Sequence, residues 1–99
     1  MTQHYTKDGI QFEWDDDKAE RNLEKHGVSF EMACDVFFDP FVVTLEQQDT
    51  EGEVRSVIVG MTTYWQVLYV VHTVRSGEVF RIISARPATR SERRRYENE

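Results

Sequence analysis

The chain has 99 residues, a formal net charge of -6 and one cysteine, and 12% of its residues are aromatic. That size supports one domain, residues 1–99, with a single core burying about two-thirds of the unfolded surface, and the aromatic content argues against disorder. The absence of a membrane-length apolar run, of a signal-like start in MTQHYTKDG and of a Cys/His cluster with zinc spacing points to a cytoplasmic domain with no cofactor, no metal and no internal disulfide.

Residues 1–9 read as a frayed end. Ile10, Phe12 and Trp14 alternate with Gln11 and Glu13, the period of a short strand with one apolar face. Asp15 offers an N-cap, Asp16 and Asp17 suit the positive end of a helix, and Gly27 stops that helix after His26. Its inward stripe is expected to be Ala19, Asn22, Leu23 and His26, half of it polar. Ser29 caps a second helix whose apolar face is Phe30, Ala33, Cys34 and Phe37, widened by Met32 and Val36, and Pro40 ends it.

The pattern then changes to period two. Strands are expected at 41–46, 54–62, 67–75 and 78–85, with a polar turn at 47–53 and a tight hairpin at Ser76-Gly77. Arg55, Val57, Val59 and Met61 share one strand face, and His72 shares another with Leu68, Val70 and Val74, where it reads as a satisfied core histidine. After Pro87, Thr89 and Glu92 have the spacing of a capping box, and a final helix follows with Tyr96 as its one apolar anchor. The expected fold is α+β, in the order β-α-α-β-β-β-β-α, with helices packed on an antiparallel sheet.

Charge divides the chain. Residues 1–54 hold 14 Asp/Glu against 4 Lys/Arg, whereas residues 55–99 hold 4 Glu against 8 Arg and no lysine. Arginine suits bidentate phosphate contacts, so the asymmetry suggests a basic face on an acidic body. Arg55, Arg75 and Arg86 can cluster near one edge of a meander. Singly, each is more commonly a surface arginine beside a local carboxylate. Arg81 and Arg86 have opposite parity, and only a bulge, or loss of strand geometry near Pro87, brings them to one face. His26 has two readings, a general base, because histidine titrates near neutrality, or a half-buried helix end bonded to backbone. Trp14 reads as core. Tyr69 could stack on a base.

The stretch from Phe12 to Pro40, with RIISARPATRSERRRYE at 81–97, resembles the BrnT family of type II toxin–antitoxin systems. The motifs are F-x-W-D, N-x-x-K-H-G-V-S-F at Asn22–Phe30, and I-S-A-R, A-T and E-R-R-x-Y near the end. This chain has Asp16 where the family often has proline, and either residue suits a first helical turn. The resemblance implies a RelE-like fold and an endoribonuclease toxin. It also implies a BrnA-like ribbon-helix-helix antitoxin, with which the toxin represses its own promoter, touching DNA only through that partner. In such chemistry the 2′-hydroxyl of RNA attacks the adjacent phosphate, and the protein stabilises the developing charge. On this reading Arg86 and Arg81 stabilise charge and His26 is the base, with Lys25 assisting. Arg55, Arg75, Arg94 and Tyr96 hold RNA, and Arg90, Arg93 and Arg94 meet the antitoxin. No carboxylate set has metal-ligand spacing, so cleavage is expected to be metal-independent. The alternative is a non-catalytic module that pairs with a ribbon-helix-helix repressor.

Overall fold

A computed structural model of the chain describes residues 1–98. In chain order the elements are β1 (Thr2–Lys7), β2 (Ile10–Asp15), α1 (Asp16–His26), α2 (Phe30–Asp35), a 3-10 turn (Val36–Phe38), β3 (Val43–Thr50), β4 (Glu53–Met61), β5 (Val67–Arg75), β6 (Val79–Pro87) and α3 (Arg90–Glu97). The six strands form one sheet in the order β1-β2-β6-β5-β4-β3. Strands β3 to β6 are the expected antiparallel meander, and the α+β class with helices on the sheet holds. One pair is parallel: β2 lies beside β6, with Phe12 opposite Phe80 and Glu13 opposite Arg81.

Residues 1–9 are not frayed. Thr2–Lys7 pairs antiparallel with β2 over its whole length. Asp8 and Gly9, both at positive φ (49° and 83°), make the two-residue turn that matches the twist of a hairpin. Tyr5 then reaches over the core, with ring centroids 6.4 Å from Phe12 and 5.7 Å from Trp14. The polar turn expected at 47–53 shrinks to Glu51-Gly52, because β3 continues to Thr50.

Caps follow the sequence closely. Asp15 accepts from the Lys18 amide, Gly27 takes the left-handed conformation that ends α1, and Ser29 accepts from the Met32 amide. The second helical segment tightens to 3-10 geometry at Val36. Gly60 on β4 explains how closely that turn approaches the sheet: a Cβ there would lie 2.7 Å from Val36 Cγ1. Phe12, Trp14, Phe30, Cys34, Val36, Leu68, Val70 and Ile82 form the core between α1, α2 and one sheet face. His72 lies in this layer as expected, but it is not satisfied. Its ring is flanked by Phe37 (4.9 Å) and Phe80 (5.6 Å), and Nδ1 has no hydrogen-bond partner among the described residues. Burial pushes its pKa down to about 4, so the ring packs as a neutral aromatic at neutral pH.

Candidate functional site

The other sheet face carries the arginines. Cross-strand partners share a face. Register therefore places Arg55, Thr73, Arg81 and Glu13 in one row across four strands. The parity that separates Arg81 from Arg86 is reversed by a bulge. Val71 pairs with Ser84 while His72 pairs with Ile82, so Ile83 is the extra residue. Arg81 lies opposite Thr73 and Arg86 opposite Tyr69, which puts both on the arginine face, with Ser84 between them. The two rows are about 13 Å apart at strand rise.

Each sheet arginine has a carboxylate beside it. Arg81 donates to Glu13 at 2.6 Å, Arg75 lies 3.7 Å from the same Glu13 oxygen, and Arg55 lies 3.5 Å from Glu53. Arg86 forks onto Glu92 with bonds of 2.8 and 2.9 Å, and its guanidinium carbon lies 3.8 Å from the centre of the Tyr69 ring. The Glu92 bonds and charge hold the Arg86 pKa above its ordinary value, and the Arg86 bond holds the Glu92 carboxyl below its own.

Beyond Arg81, β6 has no strand on its β2 side, because β2 stops at Asp15 and the chain turns into α1. Asn22 takes the place of the missing strand. Its side-chain amide donates to the Ala85 carbonyl at 2.8 Å and accepts from the Ala85 amide at 3.1 Å, and it also donates to Val28 at 2.9 Å. A polar residue on the inward stripe thus completes a ladder. Leu23, expected inward, is 49% exposed, because Asn22 is the residue that faces the edge. Docked this way, α1 brings Lys18, Arg21, Lys25 and His26 to a hollow closed by Ile83 and Ser84.

Terminal helix α3 is fastened at both ends. Thr89 and Glu92 form the complete capping box, and Tyr96 donates to Asp39 at 2.5 Å. Asp39 also accepts from the Met61 amide at 2.7 Å and the Phe41 amide at 2.9 Å. Burial raises the Asp39 pKa, but these bonds outweigh it and keep the carboxyl below its ordinary value. Arg90, Arg93 and Arg94 are exposed, and Arg90 and Arg94 line a shallow hollow on the helix surface.

The predicted residues therefore fall into three groups. Arg55, Arg75 and Arg81 gather in and beside the Glu13 row. Lys25 and His26 share the α1 hollow, whose Ser84 borders the arginine face. Arg86 lies at the far end of β6 and is tied to α3, so its expected clustering with Arg55 and Arg75 does not occur. Tyr96 is spent on Asp39, and Tyr69 already carries the Arg86 guanidinium. Sequence reasoning missed Glu13, Lys18, Arg21 and Ser84. Lys18, Arg21 and Lys25 are spaced i, i+3, i+7, one face of a helix, and that spacing was the available signal.

Residues 14–92 match the family described as "Ribonuclease toxin, BrnT, of type II toxin-antitoxin system". Among solved structures, the chain is similar to the 1.1 Å crystal structure of the Brucella abortus ribonuclease toxin, BrnT. The identity is 22% and the TM-score 0.53, over 78% of this chain and 94% of that one. No curated protein matches the chain. The family match runs from Trp14 in β2 to Glu92 in α3, and so takes in the Asn22 lock, the β6 bulge, Arg86 and the capping box. The chain belongs to the BrnT family of ribonuclease toxins of type II toxin–antitoxin systems.

Proposed function

We propose that this chain is a metal-independent endoribonuclease toxin that cleaves RNA on the arginine-bearing face around Ser84 of β6. The observation that carries the reading is the position of Ser84. It lies between Arg81 and Arg86 on the arginine face and borders the hollow holding Lys18, Arg21, Lys25 and His26. A phosphate beside Ser84 would have cations on both sides and a histidine within the same hollow. His26 takes the proton of the 2′-hydroxyl, whose oxygen attacks the adjacent phosphorus. The bond to the 5′-oxygen breaks, and that oxygen takes a proton from solvent water as it leaves. Arg81, Arg86 and Lys25 stabilise the charge on the phosphorus oxygens. Arg55, Arg75 and Arg94 hold the strand to either side. A ribbon-helix-helix antitoxin of the BrnA kind covers the basic surface, and the pair binds its promoter through the antitoxin.

One observation favours a second reading, a non-catalytic module that pairs with such a repressor. All four sheet arginines already have carboxylates beside them, as surface arginines commonly do. Expression without a partner separates the two. The nuclease reading expects growth arrest, new 5′ ends in mapped transcripts, and cleavage of purified RNA that persists in EDTA. Intact RNA and unchanged growth with soluble, folded protein favour the module. Activity abolished by EDTA and restored by magnesium or manganese removes metal independence.

A further inference from the structure

The turn between β4 and β5 has a property that folding does not require. Trp65 is 84% exposed and Tyr64 is 77% exposed, and Trp65 has a φ of 66°. A bulky aromatic residue at positive φ is a steric outlier, and such strain collects where surrounding structure enforces it. Here Thr62 enforces it. Its side chain, in a residue 5% exposed, accepts from the Tyr64 amide (3.1 Å) and the Gln66 amide (3.2 Å). Its backbone amide donates to Gln66 and its carbonyl accepts from Trp65. Two large rings are thus presented on a braced turn, with almost no surface of their own buried.

What lies beside Trp65 includes an exposed arginine of α3, Arg93, together with Glu97. Ala88 donates to the Val67 carbonyl at 3.0 Å, which fixes the start of β5 against the β6–α3 junction, two residues beyond Arg86. Trp65 shares a hollow with Pro87, Arg93 and Glu97. An exposed ring with a guanidinium in the same hollow fits single-stranded nucleic acid, because every base offers a π-face and every linkage a phosphate. We infer that Trp65 and Tyr64 form a base-stacking platform for RNA, holding one or two nucleotides beyond the phosphate at Arg86, with Arg93 on the backbone. This rests on the nuclease reading and adds to it a binding subsite that does no chemistry.

The probe is a short single-stranded oligonucleotide with 2′-O-methyl groups, which lacks the attacking hydroxyl. Its titration into the chain should quench the fluorescence of Trp65, because the other tryptophan, Trp14, is 3% exposed. Trp65→Ala should weaken binding about tenfold, the loss of one stacked base. With cleavable RNA, KM should rise while kcat at saturation stays unchanged. Trp65→Gly, which suits positive φ, should bind as weakly as the alanine variant with a melting temperature no lower than wild type. That combination would mark a ring kept for a ligand and not for the fold. Wild-type cleavage with undiminished oligonucleotide binding by Trp65→Ala would overturn the platform and leave the nuclease reading standing. Quenching by the antitoxin and not by RNA would overturn it in favour of a protein partner. A wild-type chain that neither binds nor cleaves RNA would overturn both.

Discussion

At Arg86 the guanidinium stacks on Tyr69 and forks onto Glu92, so one side chain serves both the proposed site and the docking of α3. The two roles separate by substitution. Arg86→Ala should lower cleavage roughly a hundredfold, about 3 kcal/mol of charge stabilisation, measured on purified RNA with the fold checked by far-UV circular dichroism. Glu92→Gln removes the fork's charge but keeps the guanidinium. It should lower the melting temperature while leaving cleavage within a few-fold of wild type. Equal loss of cleavage in both variants would make Arg86 a fastening for α3 and nothing more. Some residue-level detail was legible in the sequence and some was not. Capping residues Asp15, Ser29 and Thr89 act within three positions of themselves, so their spacing declares them. Asn22 acts on Ala85, 63 residues away. Its polarity on an apolar stripe was visible, but the open edge it completes exists only after the sheet assembles.

Among the elements, α3 has the least reason to fold by its own packing. Its residues are RSERRRYE, and what holds it is the capping box, the Arg86–Glu92 fork and the Tyr96–Asp39 bond. Like charges along it repel across bare surface and gain by meeting anions, such as an acidic antitoxin segment. Changing Arg90, Arg93 and Arg94 to Glu should weaken antitoxin binding, and wild-type association should slow as salt rises, because screened charges no longer steer the encounter. Surface plasmon resonance across a salt series reads both. Salt-insensitive association, with unchanged affinity in the triple variant, would place the antitoxin elsewhere. Local periodicity yielded α1, α2, β2 and the four strands of the meander, and the capping box yielded α3. Periodicity failed at β1, whose residues TQHYTK have little apolar alternation. There, Asp8-Gly9 was the better signal, a two-residue hairpin turn.

At the scale of the whole molecule, the parallel pairing of β2 with β6 is the step no local pattern announced. It carries Glu13, a carboxylate from the acidic half, to the end of the arginine row supplied by the basic half, directly beside Arg81. The Ile83 bulge is equally long-range in effect, since it decides that Arg81 and Arg86 share a face. Sequence parity pointed the other way and named a bulge as one route to bringing them together. Glu13 then becomes the sharpest probe of what the face is for. If the row is an RNA groove, Glu13 repels phosphate and occupies donors of Arg81 and Arg75 that RNA would use. Glu13→Gln should therefore raise affinity for a 2′-O-methyl oligonucleotide about fivefold, the scale of one screened ion pair. The salt dependence of binding should also steepen, as more cations engage the backbone. Stability should move the other way, because Arg81 is only 24% exposed and loses its closest anionic partner. Tighter RNA binding with a lower melting temperature would mean that the carboxylate stabilises the fold at the expense of affinity. A folded Glu13→Gln variant that binds RNA no better than wild type would mean that the row holds the sheet together and that RNA lies elsewhere.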